Sequence, residues 1–396
     1  MGAIGLAVVT IGADGVRAAE TAQHHVDVVQ VSGWIDPVMV DFLQDAVDSA
    51  EDTGAEALVV QLDSPGALVD DAELEALAVA LEQSRVPVAV WVGGSGARAL
   101  RGAGRLVQAA DVAGMAPRTK VEVGLERLGP AAAVRGGLVD LNVEQSAVLG
   151  NFLRAIDGRP GAGKTIDTAT FAPRKGGPPV ADLHADLRVR LAKLDLVARV
   201  MHTVASPPVA YLLLTAAIGL MIFELFTAGI GIAGAVGAGA LVLAAYGLGV
   251  LPTSPWGLGL MALGAFGFAV DVQTGVPRFW TAVGVVSFAT GSLMLFRDPV
   301  SLGWIPLAGG VLGISLLMLA GLPATVRSRF STPTIGRESM VGEEGDVVAD
   351  LSPEGVVRVR EALWPAHTSR QTPLAVGDRV RVVAVVGPAL EVAPAE

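Results

Sequence analysis

The residues Pro208–Phe226, with the sequence PVAYLLLTAAIGLMIFELF, decide how the rest of this chain must be organised. A helix needs about 20 apolar residues to cross a lipid bilayer, and this run has nearly that length. Comparable runs follow at Gly229–Val250, Trp256–Val270, Trp280–Phe296 and Trp304–Leu322. None of them has the polar stripe at every third or fourth position that a buried helix of a soluble protein shows. The sequence therefore predicts a bundle of about five transmembrane helices over residues 207–323.

Two acidic residues, Glu224 and Asp271, lie close to these apolar runs. An ionisable residue inside a membrane is a candidate proton or ion site. Both residues lie near the ends of their runs, however, where a carboxylate can reach the interface or the terminus of an adjacent helix. We therefore favour a structural role for them over a role in transport.

The orientation of the bundle follows from basic residues, because Lys and Arg are retained on the cytoplasmic side. Arg327, Arg329 and Arg337 follow the last run, so we place that end inside. Five crossings then place the N-terminal domain outside the cytoplasm and Arg278 inside, with Arg297 as the exception. An arrangement with four crossings stays open, because the short junction between the first two runs allows a re-entrant hairpin.

Composition limits the remaining functions. The formal net charge is −11 and no basic patch is evident, so nucleic acid is not an expected partner. The chain has no cysteine, which excludes disulfides, thiolate zinc sites and a cysteine nucleophile. Residues 1–19 resemble the later part of a secretory signal, with cleavage after Ala18 or Ala19, although the usual basic start is missing. A truncated start and an uncleaved anchor stay open as alternatives.

Residues 24–206 alternate predicted strands and helices. The pattern consists of three apolar runs and two amphipathic segments between them: Val26–Val31, Val38–Asp52, Ala57–Leu62, Asp71–Ser84 and Val86–Val92. Strands that are apolar throughout predict a parallel sheet covered by helices on its faces. Sites in such sheets form at the carboxyl ends of the strands, which are here the glycine-rich turns 63–67 and 93–104.

Residues 335–396 show five short strand-like runs with turns at Gly and Pro, a pattern typical of a small closed β-barrel. Trp364 is the largest apolar side chain of this region. We expect it to pack in the barrel core, with an exposed docking anchor for a partner as the alternative.

Several motifs together resemble the NfeD family of membrane proteins. They are Leu62-Asp63-Ser64-Pro65-Gly66, Ser84-Arg85-Val86-Pro87-Val88, Ala113-Gly114-Met115-Ala116-Pro117, Gly342-Glu343-Glu344-Gly345-Asp346-Val347-Val348 and Gly377-Asp378-Arg379-Val380-Arg381-Val382-Val383. The resemblance implies the fold class: an α/β ClpP/crotonase-like domain, an α-helical transmembrane bundle and a small all-β OB-fold barrel. It also implies a flotillin-like (SPFH) membrane protein as partner, docked on the barrel. Membrane lipid is expected around the bundle, and a homo-oligomer stays open.

The protease members of this family use a serine nucleophile, a lysine base and backbone amides after a Pro-Gly turn that hold the oxyanion. Counting back fourteen positions from Met115 places the nucleophile position at Arg101, which cannot attack a carbonyl carbon. The stretch Leu138–Leu153, where the lysine is expected, contains none. The turn has Gly66 and Ala67 in place of paired glycines, which makes a left-handed conformation at the second position costlier.

These differences predict a scaffold or binding protein with a catalytically inactive ClpP-like domain. A membrane-bound serine protease with a non-standard active site is the alternative. Ser64 and Ser95 flank the former site, but serines in such turns usually stabilise the turn itself. The nearest lysines, Lys120 and Lys164, lie outside the expected stretch. We expect no cofactor and no metal site.

The residues Gly158–Thr165 match the phosphate-binding P-loop pattern letter by letter. A true P-loop follows a buried strand and opens a helix. Here a helix-like run precedes the motif and a strand-like run follows it, so we predict a turn that leads into a hairpin.

Four basic residues, Arg98, Arg101, Arg105 and Arg118, cluster near the former active site. If residues 96–107 are helical, the side chains of Arg98, Arg101 and Arg105 share one face. We favour a solvated face that pairs with acidic residues. The alternative is a groove that binds an acidic peptide or a carboxylate by bidentate contacts.

Overall fold

The computed structural model describes residues 24–141, 144–172, 180–227, 231–274, 279–325, 337–368 and 373–395. The predicted signal-like segment 1–19 lies outside these ranges, as do Arg278, Arg327 and Arg329. The chain divides into two units, residues 1–323 and residues 324–396.

An α/β domain opens the first unit. Its elements in chain order are β1 (His25–Ser32), α1 (Pro37–Thr53), β2 (Ala57–Asp63), α2 (Asp71–Glu82), β3 (Val88–Val92), β4 (Arg98–Ala99), α3 (Ala103–Gln108), β5 (Val112–Met115), β6 (Lys120–Val123), β7 (Glu126–Leu128), α4 (Pro130–Arg135), α5 (Leu149–Ala155), β8 (Pro160–Gly161), β9 (Lys164–Thr165), β10 (Ala169–Ala172), β11 (Val180–Leu183), β12 (Arg188–Ala192) and α6 (Leu196–Val204). Five parallel strands form the central sheet in the order β12-β1-β2-β3-β5.

The strands β1, β2, β3 and β5 of this sheet are mostly apolar and buried on both faces, whereas the edge strand β12 is largely exposed. Alternate strand residues pack against α1, α2 and α3 on one face, and against α5 on the other. Local signals set the ends of α1: the Asp36 carboxylate accepts a hydrogen bond from Met39 N at 2.9 Å, and Gly54 ends the helix with a φ of 65°. The predicted parallel sheet is confirmed.

The P-loop-like residues contain the predicted turn, and the hairpin forms within the motif itself rather than after it. Strands β8 and β9 pair across a turn in which Ala162 and Gly163 have φ values of 48° and 73°. Lys164 Nζ donates to Ala55 O at 3.2 Å, so this amine is tied to the domain itself. The motif opens no helix, and a phosphate-binding role is not supported.

The first unit continues with apolar helices. They are α7 (Pro207–Thr227), α8 (Ile232–Val250), α9 (Pro255–Thr274), α10 (Phe279–Leu293) and α11 (Trp304–Leu316), which is extended by a π-helical turn over Leu317–Gly321. Among the described residues, four of these helices are long and apolar enough to cross a membrane, whereas α10 has 15 residues. A shorter helix can still cross where the bilayer thins locally.

Helices α7 and α8 form one antiparallel pair, and α9 and α10 form another. Glycines allow the second pair to approach closely: a Cβ on Gly264 would lie 2.8 Å from the Phe288 backbone, and one on Gly291 2.7 Å from Gly257 O. Small residues at such interfaces favour packing of helices in lipid.

The two acidic residues near the membrane cap helix N-termini. Glu224 accepts hydrogen bonds from Gly231 N at 2.9 Å and Gly234 N at 3.3 Å, at the start of α8. Asp271 accepts from Thr281 N at 2.5 Å and from Thr281 Oγ1 at 2.6 Å, at the start of α10. This is the structural role favoured from the sequence.

The direction of α11 follows from its contacts with α7. Gly310 lies against Tyr211 near the start of α7, and Gly219 further along α7 lies against Leu317. The two helices therefore run parallel. Since α8 and α10 both return to the end where α7 begins, α11 leaves the bundle at the opposite end.

The second unit is a closed barrel of β13 (Glu344–Ala349), β14 (Glu354–Val359), β15 (Ala362–Thr368), β16 (Arg379–Val386) and β17 (Ala389–Pro394). Its strand order is β13-β14-β15-β17-β16, with β15 and β17 parallel and the other pairs antiparallel. Buried valines and leucines such as Leu351, Val357 and Leu390 fill its centre. The predicted combination of an α/β domain, a helical bundle and a small closed barrel is confirmed.

Candidate functional site

The candidate site lies where β2 ends, at the turn Ser64–Ala67. A second segment, Arg98–Gly104, runs alongside it, and backbone hydrogen bonds join the two. Ser64 N donates to Arg98 O at 2.6 Å, and Leu100 N donates to Ser64 O at 3.1 Å. The turn therefore sits at the carboxyl edge of the sheet, as the sequence predicts.

Both amides of the turn are already used inside the domain. Gly66 N donates to Ser64 Oγ at 3.1 Å, and Ala67 N donates to Arg101 O at 3.0 Å. An oxyanion site needs donors that are free to meet the developing charge. In this geometry the two amides stabilise the turn instead.

Gly66 is required by geometry. Its φ is 151°, and a Cβ at this position would lie 2.9 Å from Trp34, 3.0 Å from Arg101 Cβ and 3.1 Å from Arg101 O. Ala67 has no positive φ. The turn therefore does not need a left-handed conformation at Ala67, which would be costly for an alanine.

Arg101, at the predicted nucleophile position, links the α/β domain to the membrane helices. Its φ is 44° and that of the following Gly102 is 92°, so the backbone turns sharply here. The Arg101 guanidinium donates through Nη1 to Pro299 O at 2.7 Å. Pro299 belongs to the loop between α10 and α11, so this side chain fastens this edge of the domain to the bundle.

The other two arginines of the cluster have different surroundings. Arg105 forms ion pairs at 2.9 Å with both Glu75 and Glu82 of α2. The hydrogen bond from Arg105 lowers the pKa of Glu75. Arg98 is exposed, and its backbone N donates to Asp63 Oδ1 at 3.0 Å.

The three arginines do not share a helix face, because the condition for it, a helix over residues 96–107, is met only from Ala103 onward. Arg98 pairs with Lys120 as a parallel strand, and α3 begins only at Ala103. The left-handed Gly102 separates the strand from the helix, because such a conformation cannot continue a right-handed helix.

The two serines near the site are held by turn contacts. Ser64 is fully buried, and its Oγ donates to Gly66 O at 2.9 Å. Ser95 Oγ accepts from Arg118 at 2.9 Å and 3.2 Å. Among the described residues, the side-chain hydrogen bonds of these serines involve no lysine or histidine.

Sequence reasoning missed a histidine–carboxylate pair close to this edge. His202 on α6 lies 2.8 Å through Nδ1 from the buried Asp36 Oδ2, and its Nε2 donates to Ser32 O at 3.0 Å. The hydrogen bond with Asp36 raises the pKa of His202. Since Ser32 O occupies Nε2, the imidazole ties α6 to the loop before α1 rather than activating a serine.

Two family models match the chain. The NfeD integral membrane domain covers residues 208–322, and the NfeD-like C-terminal, partner-binding domain covers residues 337–394. The chain is an NfeD-family membrane protein. The family inferred from the sequence motifs is thereby confirmed, and the helices α7–α11 are the integral membrane domain of an NfeD protein.

A known protein resembles this NfeD chain along nearly its whole length, and solved structures resemble parts of it. A membrane-bound protease of Pyrococcus horikoshii is 24% identical over 92% of this chain and 92% of its own length. The solved N-terminal membrane protease domain from the same organism, described as specific for a stomatin homolog, is 19% identical and covers 46% of this chain and 98% of its own, with a TM-score of 0.36. The solved C-terminal domain of a stomatin operon partner protein from Pyrococcus horikoshii is 39% identical. It covers 16% of this chain and 97% of its own length, with a TM-score of 0.15.

The NfeD C-terminal barrel has its own candidate contact residues. Trp364 on β15 is half-buried and packs against the barrel core, as expected from the sequence. Its neighbour Leu363 is 60% exposed, and Val383 and Val386 on β16 are about half exposed, at 48% and 51%. Apolar side chains that remain in water are candidates for contact with a partner.

Proposed function

We propose that this NfeD protein is a membrane-embedded scaffold or binding protein with a catalytically inactive ClpP-like domain. One observation carries the proposal: Arg101 stands at the predicted nucleophile position and its guanidinium is bonded to the loop of the membrane bundle. A protease of this kind needs a hydroxyl with a neighbouring base and free oxyanion donors. This chain has an arginine where the hydroxyl-bearing residue is expected, and both turn amides already donate hydrogen bonds within the domain.

The test is labelling of the detergent-solubilised chain with a fluorophosphonate probe, which reacts with activated serines. We expect no labelling above that of a heat-denatured sample. Labelling that disappears in Ser64→Ala or Ser95→Ala would overturn the proposal. Ser339→Ala serves as a control for labelling at a serine remote in sequence from the turn.

A second candidate function is a membrane-bound serine protease with a non-standard active site. The relative from Pyrococcus horikoshii, which is named a membrane-bound protease, favours it. The two candidates differ in one outcome: the protease would show probe labelling that depends on a single serine of this chain.

The proposed partner is a stomatin- or flotillin-like membrane protein that docks on the barrel. The partner-binding description of the matching C-terminal model supports this, and so do the stomatin-related descriptions of the Pyrococcus horikoshii proteins. The exposed Leu363 and the half-buried Trp364 are the proposed contact residues on β15. Membrane lipid surrounds the bundle in this proposal, and a homo-oligomer is compatible with it.

A pull-down from detergent-solubilised membranes with the intact chain tests the partner. We expect a stomatin- or flotillin-like protein to be retained by the intact chain and lost with Leu363→Asp. The exposed charge substitution Arg379→Glu on β16 is the control and should retain it. Retention of the same protein by Leu363→Asp would exclude this contact.

We further propose five membrane crossings, with the α/β domain outside the cytoplasm and the barrel inside. The parallel course of α7 and α11 supports an odd number of crossings. The absence of cysteine makes a labelling test clean. Cysteines placed at the exposed positions Ser49 and Ala362 should differ: an impermeant maleimide added to intact cells should modify the first and not the second. Modification of both would exclude this topology.

The basic cluster has a reduced role in this proposal. Arg105 is paired with two glutamates and Arg101 with a backbone carbonyl, which leaves the exposed Arg98 as the remaining candidate for an acidic ligand in a groove. Isothermal titration with an acidic peptide tests this. Binding that Arg98→Ala weakens would support the groove, and no binding would exclude it.

A further inference from the structure

Two histidines and a carboxylate meet on the surface of the α/β domain, away from the edge that carries Arg101. Ligand atoms of His24, Asp167 and His184 all lie within 4.8 Å of one another. The two imidazole rings have their centroids 5.0 Å apart, and His184 Nε2 lies 2.6 Å from Asp167 Oδ1. A further carboxylate, Asp186 Oδ1, lies 3.8 Å from His24 Nδ1.

Backbone hydrogen bonds and buried neighbours hold the three ligand residues in position. Asp167 stands between Ile166 and Thr168, which are buried, while its own side chain is 66% exposed. Thr168 O accepts a hydrogen bond from His184 N at 3.1 Å, which fixes the two loops to each other. His24 O accepts from Arg188 N at 2.9 Å, which fixes the residue just before β1 against β12.

The hydrogen bonding of His24 suits a metal ligand. Its Nε2 donates to Asp167 O at 2.8 Å, which leaves Nδ1 with a free lone pair on the side of Asp186. Histidines that bind metals usually donate their other ring N–H to a carbonyl or carboxylate in this way, which fixes the tautomer. Both imidazoles are largely covered, with 19% of each side chain exposed, so their rotamers are restricted.

We infer that His24, Asp167 and His184 form a zinc site, with Asp186 as a fourth ligand. Two imidazoles and carboxylate oxygens are ligands that Zn²⁺ accepts in tetrahedral geometry, at about 2.0–2.2 Å from the metal. The ion takes the place of the proton between His184 and Asp167, and that proton is released to solvent. No sequence motif joins these residues, because the ligands come from the start of β1, from the loop before β10 and from the turn after β11.

The site would fasten three segments that are distant in sequence. Two of the proposed ligands flank the paired strands β10 and β11, with Asp167 before β10 and His184 after β11. A bound ion that contacts the folded state alone raises the melting temperature of the chain by mass action.

The experiment is titration of the full, untagged chain in detergent, after removal of metals with EDTA, by isothermal calorimetry with Zn²⁺. We expect one tight ion per chain, a release of protons, and affinity at least about tenfold weaker in His24→Ala and in His184→Ala. His367→Ala, which removes an imidazole from the barrel, is the control and should bind as the unmodified chain does. Zinc should also raise the melting temperature of the unmodified chain more than that of the two variants.

Three outcomes overturn the inference: no binding to the unmodified chain, undiminished binding to both cluster variants, or an equal loss in His367→Ala. Each variant is first compared with the unmodified chain by its melt in EDTA. If one of them does not fold, Asp167→Asn replaces it, because this substitution keeps the shape and removes the charge. Undiminished binding to Asp167→Asn would likewise overturn the inference.

Discussion

The edge of the α/β domain and the outer surface of the barrel use their side chains in opposite ways. At the domain edge, hydrogen-bonding groups are satisfied within the chain: Arg101 binds Pro299 O, Arg105 binds two glutamates, and both turn amides have acceptors. On the barrel, apolar side chains such as Leu363 and Val386 are left in water. A surface whose donors are mostly engaged is suited to holding a domain in place, and one that exposes apolar groups is suited to binding a partner.

The largest expected effect is on the stability of the barrel, where a substitution in the core should act differently from one on the surface. Leu351 is fully buried, so Leu351→Ala should lower the free energy of unfolding by about 2–5 kcal/mol. The excised fragment 335–394 is expected to be stable by only a few kcal/mol. Leu351→Ala should therefore abolish its cooperative melt in circular dichroism, whereas Leu363→Ala should leave the melt unchanged.

The same fragment tests the domain assignment. If the unmodified fragment has no cooperative transition, or if Leu363→Ala destabilises it as much as Leu351→Ala does, the distinction between a supporting core and a binding surface fails.

The second effect concerns the turn at the end of β2. Gly66→Ala forces a Cβ against Trp34 and Arg101 at a φ of 151°, which should cost about 1–3 kcal/mol or more. Gly94→Ala is a matched control, because Gly94 also has a positive φ, 87°, but nothing lies within 4 Å of an added Cβ. Urea unfolding of the solubilised chain can be monitored by the protease resistance of the α/β domain. It should show a larger decrease in the free energy of unfolding for Gly66→Ala than for Gly94→Ala. Equal losses would mean that backbone conformation alone sets the cost.

A smaller effect is expected at the contact between this edge and the membrane bundle. Arg101→Ala removes the hydrogen bond to Pro299 O, which should be worth about 1 kcal/mol. Hydrogen exchange should then become faster in the loop 297–303 of the bundle. Arg98→Ala is the control, since Arg98 is exposed and its side chain makes no such link among the described residues. Unchanged exchange in Arg101→Ala would show that this side chain does not fasten the domain.

The smallest effect should depend on pH. The pKa of His202 is raised by Asp36, so the pair stabilises the fold fully below the unfolded pKa of about 6.5. This contribution is lost as the pH rises through the higher folded pKa. His202→Gln should therefore lower the melting temperature more at pH 6 than at pH 9. A larger loss at pH 9 would contradict the assigned ion pair.

The sequence predicted most of the fold because its signals are local. Helix α1, expected over Val38–Asp52, is found at Pro37–Thr53, since Asp36 and Gly54 cap it. The apolar runs predicted the membrane helices for the same reason. A helix over the whole of residues 96–107, the condition for a shared arginine face, does not form because β4 pairs with β6 and the backbone turns at Gly102.

The position of the candidate site in the fold could be predicted from the sequence, but its side-chain contacts could not. The strand ends locate the turn near Gly66, because parallel strands direct their carboxyl ends to one edge. The bond from Arg101 to Pro299 joins residues 198 positions apart, and that from His202 to Asp36 joins residues 166 positions apart. Contacts over such separations depend on how elements pack, and no short motif encodes them.

The caps formed by Glu224 and Asp271 have a consequence for how this protein enters the bilayer. The first N–H groups of α8 and α10 have no partner within their own helices, so they need acceptors from elsewhere at the ends of the membrane segments. In each case the carboxylate that accepts from them is carried by the preceding helix, α7 or α9. Each helix pair therefore supplies an acceptor for N–H groups at the start of its own second helix, and the two pairs can be inserted one after the other during synthesis, before α11 has been made.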